Sequence, residues 1–314
     1  MADCSLWITV ARTDLSFMMQ TIPHLVRMCN YPFAERVLAI DTALLSGEKR
    51  LRPNLGTIND LRSYCSELLE KNVIDRTVDI DYSESYKKWA YKKHFGRCNI
   101  KATHNWKGYP ILGSIYCIEE CRTDYLLHFD SDMLLYQKSG YSWVGEGIKA
   151  LRDNPKIFYV RPCLGPQNER KNLYRDVYSI QKNADDLYIL PGLFASRCYL
   201  IDRRRFDTLL PMLLMWAKRQ GRIKDKLPKA IIDSFNSFTG SGLLESWEVM
   251  VAQSMKEKSF VRADIADDRA WTLHPHDHGA DFIRMLPKII GIIEKGGYPK
   301  EQTGKYDLQL EFWR

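Results

Sequence analysis

Short apolar runs alternate with longer stretches of helical periodicity through the first half of the chain. The run Leu6 to Ala11 reads as a strand. Phe17 to Cys29 reads as a helix with Pro23 near its first turn, where a missing N–H is tolerated. Arg36 to Ile40, closed by Asp41, is a second strand, too short and too continuously apolar for a helix. Thr57 to Asn72 then reads as a helix and Thr77 to Tyr82 as a strand. Ser83 to Phe95 is a helix with Ser83 as N-cap and Gly96 beyond its end. Pro110 to Cys121 is a further helix, feeding Asp124 to Asp130, the most strand-like segment of all. Continuously apolar strands separated by helices imply a sheet covered on both faces. The expected fold is therefore a doubly wound, Rossmann-like α/β fold with a mostly parallel central sheet.

After a strand at Lys156 to Pro162 the rhythm loosens. Asn168 to Leu187 is polar and tyrosine-rich, Phe194 to Ile201 reads as a strand, Arg204 to Lys218 as a helix, and Gly221 to Gly242 as a linker of poor periodicity. A helix at Leu243 to Lys258, a strand at Phe260 to Ile265 and a helix at Ala280 to Lys295 complete the reading. Nothing resembles a linker between independent domains. The second half reads as an elaboration of the first.

Composition narrows the class. At 45% hydrophobic and 12% aromatic residues over 314 positions, the chain has ample material for a core, and no low-complexity tract argues for disorder. The longest apolar run, Thr208 to Ala217, contains Pro211 and falls short of the roughly 18 residues that span a bilayer. Strand-like sequence begins almost at Met1, without a secretory leader pattern. Eight singly scattered cysteines favour reduced thiols, so a cytoplasmic location is expected. The net charge of +7 has one source: from Tyr86 to Ile118 there is no acid, and seven basic residues there (Lys87, Lys88, Lys92, Lys93, Arg97, Lys101, Lys107) account for it. An amphipathic helix with a lysine face is the plain reading. Interleaved aromatics keep a non-catalytic module binding nucleic acid or a membrane surface open as an alternative.

In open α/β sheets ligands bind beyond the carboxyl ends of the strands, so acids that end strands come first. Asp41 ends one strand; Asp130, Ser131 and Asp132 end another. Residues i and i+2 of an extended segment point the same way, which lets Asp130 and Asp132 converge on one hard cation, Mg²⁺ or Mn²⁺. Asp79 and Asp81 match the same spacing, but Asp130 and Asp132 alone lie between a strand-like run and the apolar Met133 to Leu135. Burial of acids among such neighbours requires compensation.

Thr9 to Asp14, the strand ending at Asp41 and, above all, Tyr125 to Met133 (YLLHFDSDM) resemble the nucleotide-binding half of GT-A glycosyltransferases, nearest the family 2 type. The resemblance implies a nucleoside-diphosphate-sugar donor, with a UDP-sugar favoured, and a Mn²⁺ or Mg²⁺ ion held by the DxD acids. It implies a hexosyl transfer to a hydroxyl or amine acceptor, often a carbohydrate. Residues 1–165 would form the nucleotide-sugar-binding half and residues 166–314 the acceptor-binding half of the same domain. Asp132 would ligate the metal and Asp130 the ribose or metal. Asp41 would read the base, while Thr9, Arg12, Asp14 and Ser131 would surround the nucleotide. The acidic helix start of the family is matched in part by Glu245, Ser246, Trp247 and Glu248, with serine where the family's catalytic aspartate stands. Glu245 and Glu248 are therefore the candidate bases. His274, then His276, resemble the C-terminal histidine that shares the cation.

Other constellations compete weakly. His274, His276, Asp277 and His278 nearly reproduce the H-x-H-x-D-H ligand set of metal-dependent hydrolases, one residue short, with no later histidine to complete a second metal site. No G-x-S-x-G elbow or phosphate-binding glycine loop is present. Trp143, Tyr174, Tyr178, Tyr188, Trp216, Trp247 and Trp271 are available either to stack on sugars or to fill the core.

Overall fold

The structure is a computed structural model that describes residues 3–52, 55–167, 187–217 and 228–314. Its first half follows the strand–helix alternation: β1 (Cys4–Val10), α1 (Met18–Cys29), β2 (Glu35–Ile40), α2 (Ile58–Glu70), β3 (Arg76–Asp79), α3 (Glu84–Phe95), α4 (Leu112–Glu120) and β4 (Tyr125–Asp130). The two-residue period of the strands decides what each face meets. Cys4, Leu6, Ile8 and Val10 of β1, with Leu127 and Phe129 of β4, pack against α1 and α2; Trp7 and Leu126 pack against α3 and α4 on the other side. Caps sit where the side chains allow them. Thr57 and Asp60 form a capping box on α2, Ser83 caps α3, and Gly96 closes α3 in the left-handed region at φ 66°. Pro23 lies inside α1 rather than in its first turn.

The second half supplies β5 (Leu134–Gln137), α5 (Trp143–Asp153), β6 (Ile157–Arg161), β7 (Cys163–Leu164), β8 (Leu187–Pro191), β9 (Cys198–Asp202), α6 (Arg203–Asp207), α7 (Lys229–Thr239), α8 (Trp247–Glu257), β10 (Val261–Ile265), β11 (Ala270–Pro275), α9 (Ala280–Ile293) and β12 (Asp307–Leu308). The main sheet has the order β3-β2-β1-β4-β9-β6-β10-β8. Only β9 and β8 run against the rest, so the α/β sheet is mixed but mostly parallel. Strands from the second half therefore extend the sheet built by the first. A smaller sheet, β12-β11-β5 with β7 beside β11, packs under α9 through Leu134, Trp271, Leu273, Phe282, Leu286 and Ile289. His24 ties the layers together: fully buried on α1, its Nδ1 lies 2.9 Å from Glu294 Oε1 and its Nε2 accepts from Leu135 N. Burial holds this imidazole below its ordinary pKa despite Glu294, so at neutral pH it is an uncharged brace.

Two expectations for the second half change. The helix expected from Arg204 onward stops at Asp207, and a cis Leu210–Pro211 bond follows. The expected linker from Gly221 contains α7, whose apolar positions lie on a helical period once Pro228 has set its start. Asn168 to Asp186 lie outside the described residues, as do Tyr174 and Tyr178. The remaining five aromatics offered for sugar stacking, Trp143, Tyr188, Trp216, Trp247 and Trp271, are buried core side chains. Among the described residues no helix is long and apolar enough to cross a membrane.

Candidate functional site

The carboxyl ends of β1, β2 and β4 lie side by side, because Val10 pairs with Ile40 and Thr9 with Asp130. This brings Asp14, Asp41, Asp130 and Asp132 to one edge of the sheet. The turn after β1 is built around Asp14. Its Oδ2 accepts from Ala11 N (2.9 Å) and Ser131 Oγ (2.8 Å), and its Oδ1 from Thr13 Oγ1 (2.6 Å). Burial raises its pKa, with Lys49 and the Thr13 hydroxyl opposing. Asp14 thus braces the loop onto Ser131, whose carbonyl also accepts from Thr21 Oγ1 at 2.6 Å. Ser131 is buried and held at both ends, which fixes the turn between the two DxD acids.

Strand parity sorts the other residues. Thr9 points to the α4 face, its Oγ1 3.6 Å from Cys117 Sγ, below the loops rather than among them. Arg12 is half-buried, and its Nε has no hydrogen-bond partner. Asp41 is buried, with Oδ1 accepting from Tyr82 Oη (2.8 Å) and Ala43 N (3.1 Å), and Oδ2 3.2 Å from His104 Nε2. Burial opposes its charge, but His104, Lys49 and Tyr82 outweigh burial and hold its carboxyl below the usual range. The Tyr82 and His104 rings stack at 5.9 Å beside it. The flanking loops are locked by close approach: Glu48 N donates to Lys107 O, and a Cβ on Gly108, at φ +90°, would lie 2.0 Å from Ser46 O.

The DxD acids part company at the end of β4. Asp130 keeps a side chain 43% exposed, 3.3 Å from His128 Nε2, on the face that carries α8. Asp132 turns inward and is buried. His278 Nε2–H donates to its Oδ2 at 2.8 Å, and His274 Nε2 lies 3.9 Å from the same oxygen. Burial works against the Asp132 charge, yet His278, His274 and Arg197 hold its pKa down to about 2. Its other oxygen, Oδ1, is buried without a hydrogen-bond partner, and so is His274 Nδ1, which has only Asp307 Oδ1 3.6 Å away. Burial keeps His274 below its ordinary pKa, in the neutral form that ligates metals, against the pull of Asp132 and Asp130. The ring stacks on Tyr306.

His276 is exposed and stands outside this cluster; the strand ends at Pro275, so alternation does not carry His276 and His278 along with His274. His278 comes to Asp132 from the turn before α9, between Phe17 and Phe282. Among the described residues no group of three or more His, Cys, Asp or Glu is placed to hold a metal ion. What the fold does bring together is one buried carboxylate with an orphaned oxygen, Asp132, and the His274 and His278 rings beside it, donors of the kind a divalent cation takes, while Asp130 stands apart on the α8 face.

On the far side of Asp130 stands α8. Ser246 caps it through Val249 N, which leaves Glu248 in the first turn, its Oε1 accepting from Ser196 N at 2.9 Å. Burial and Asp130 raise the Glu248 pKa, while Ser196 N and Arg197 oppose them. Glu245 instead accepts from the next residue's backbone, Ser246 N, at 2.9 Å. Arg197, in the loop before β9, was not singled out by sequence. Desolvation disfavours its charge, but Tyr306, Asp130, Asp132 and Glu248 surround it and raise its pKa. Lys49, near both Asp14 and Asp41, was missed as well. Neither lies in a motif, and only folding brings them to the acids. Asp79 pairs with Arg62 at the sheet edge and Asp81 holds the turn through Ser83 N, so that second acidic pair is structural.

No protein-family model and no curated protein matches the chain. Among solved structures, an active-site mutant of LgtC gives a TM-score of 0.33 at 10% identity, over 79% of this chain and 68% of that one. A mannosyltransferase from Pyrobaculum calidifontis, solved with GDP-Man and Mn²⁺, gives 0.38 at 10% identity, over 67% of this chain and 47% of that one. Residues 1–349 of S. aureus TarS give 0.40 at 10% identity, over 85% and 58%. The chain thus spans about half the length of the last two. All three are GT-A glycosyltransferases, and at these scores the likeness carries no donor, acceptor or residue role across.

Proposed function

We propose that this protein is a metal-dependent glycosyltransferase that moves a sugar from a nucleoside-diphosphate sugar, a UDP-sugar by preference, to a hydroxyl or amine acceptor. The observation that carries the reading is Asp132: a buried carboxylate kept ionised by His278, with one oxygen orphaned, at the end of the strand where an α/β sheet binds its ligand. Asp130, Asp132 and His274 or His278 would hold the cation, and the imidazole favours Mn²⁺ over Mg²⁺. When bound, the cation neutralises the leaving diphosphate.

The chain's own groups do the rest. The niche of Asp41, Tyr82 and His104 offers a stacked ring pair and an acceptor for a nucleobase N–H, and Arg12 has an unpartnered guanidinium N–H beside the β1 loop. Arg197 supplies fixed positive charge between Asp130 and Glu248. Glu248 is the better candidate base, because its raised pKa suits a group that takes a proton from the acceptor, whereas Glu245 folds back on its own backbone. Residues 1–165 would carry the donor and residues 166–314 the acceptor, within one domain. The hydrolase alternative needs His274, His276 and His278 together, and His276 points away.

The direct test is a thermal-shift panel of UDP, GDP, CDP and ADP, with Mn²⁺ or with chelator. One diphosphate should raise the melting temperature with Mn²⁺ and lose most of that gain with chelator. No shift from any diphosphate at millimolar concentration with metal would remove the reading's support.

A further inference from the structure

The outward face of α7 is apolar where a surface helix is normally polar. Ile231, Phe235 and Phe238 recur at i, i+4 and i+7 and are 54%, 52% and 86% exposed. The helix is not loosely placed. Asn99 Nδ2 donates to the carbonyls of Ser237 and Phe238 at 3.0 Å each, and Lys101 N donates to Gly240 O at 3.0 Å. A Cβ on Gly240 would lie 1.8 Å from Asn99 O, so only glycine permits that approach. The apolar face is held outward by a fixed backbone.

Beside it a cleft of about 560 Å³ opens between the end of α3 and α7, lined by Lys92, Arg97, Asn99, Ser234 and Phe238. These two are among the four cations of the acid-free stretch, with Lys88 and Lys101, that remain once its structural pairs are made. Lys87 is tied to Glu84, Lys93 to Glu119 and Asp207, and Lys107 lies 3.7 Å from Glu48. Lys92 and Arg97 have no acidic partner among the described residues.

We propose that α7 docks the protein on an anionic lipid surface, with Ile231 and Phe238 entering the headgroup boundary and Lys92 and Arg97 meeting lipid phosphate. Apolar side chains without polar tips, flanked by basic residues, are what an interfacial helix requires. Single-stranded nucleic acid calls instead for ring faces over which bases stack, which Ile231 cannot offer. A self-complementary dimer would bring two cationic clefts to one interface. The chain leaves α7 through Gly240 and reaches Glu245 and Glu248 within nine residues, so the docked face adjoins the acceptor side. Only that last consequence, an acceptor presented at the lipid surface, rests on the transferase reading; the docking does not.

The test is flotation of the full chain with phosphatidylcholine vesicles, with and without one third phosphatidylglycerol, read together with an environment-sensitive dye on Cys98, the one exposed cysteine of the eight. Wild type should float only with the anionic vesicles, with a blue shift of the dye. The doubly substituted Ile231→Glu, Phe238→Glu protein and the Lys92→Glu, Arg97→Glu protein should each lose about tenfold or more in bound fraction, at unchanged melting temperature. Phe238→Ser, at the most exposed of these sites, gives a milder variant that should fall between. The proposal is overturned if wild type stays in the dense fraction with anionic vesicles. It is equally overturned if the variants float like wild type, or if wild type sediments as a dimer that Phe238→Ser dissolves.

Discussion

Replacing Asp132 with asparagine removes one charge at nearly constant shape, and the structure fixes both the size and the pH signature of the effect. In the folded protein the carboxyl is pushed from 3.8 to about 2, burial opposing and the His278 hydrogen bond, His274 and Arg197 prevailing. At 1.36 kcal/mol per pKa unit this amounts to at most about 2 kcal/mol of stability, less whatever His274 withholds while it is neutral. The side chain is only 11% exposed, so solvent screening removes little of it. A carboxylate whose folded pKa is depressed contributes stability above its unfolded value, and that contribution disappears as pH falls through the folded value. With chelator present, Asp132→Asn should therefore be less stable than wild type at neutral pH, by up to about 2 kcal/mol, with the gap closing between about pH 4 and pH 2. Urea unfolding followed by tryptophan fluorescence across this range measures it. A variant as stable as wild type at pH 7, or a gap that persists unchanged at the acid end, would refute the argument that the histidines hold the charge in place.

Further outcomes follow from the same reasoning. Glu248→Gln should lower kcat by about 10² to 10⁴ with little change in donor KM, and Glu245→Gln far less. Because the Glu248 pKa is raised and the base form is the ionised one, wild-type rate should climb with pH through a limb above the ordinary glutamate range; a limb unmoved in Glu248→Gln would exclude it as base. Glu119 is 96% buried, held down to about 2 by His94, Lys93 and Arg203 against burial. Since burial keeps His94 itself below its ordinary range, the charge partners at neutral pH are Lys93 and Arg203. Glu119→Gln should destabilise the protein in chemical unfolding at pH 7, by less than the roughly 3 kcal/mol of the whole shift because His94 is uncharged there, an advantage lost on acidification through pH 4 to 2. Asp81→Asn, which touches only the Ser83 turn, should leave unfolding and diphosphate binding within about 0.5 kcal/mol of wild type.

How much of this was legible in the sequence depends on whether local pattern or tertiary contact decides. The apolar runs of β1, β2 and β4 are buried on both faces and so mark themselves, and the acids that close them mark the sheet edge where the site lies. Strand parity, which sends Thr9 to Cys117 and leaves Asp130 facing α8, is also readable once the strand is placed. Contacts made by turns are not. His278 reaches Asp132 because β11 ends at Pro275 and the chain swings back before α9, and nothing in the alternation of three histidines announces that bend. Arg197 and Lys49 meet their acids only through the crossing of β9 and the loop after β2. The short α7 was hidden because Lys, Ser and Asn interrupt its apolar positions, and those positions face outward rather than into the core.

The account stands or falls on one measurement, a calorimetric titration of UDP and GDP with Mn²⁺ into wild type, Asp132→Asn, His274→Ala, His278→Ala and His276→Ala. It predicts diphosphate binding that requires Mn²⁺, is abolished in Asp132→Asn, is weakened by His274→Ala or His278→Ala, and is untouched by His276→Ala. Binding that survives in Asp132→Asn, or that ignores all three histidines alike, would contradict it.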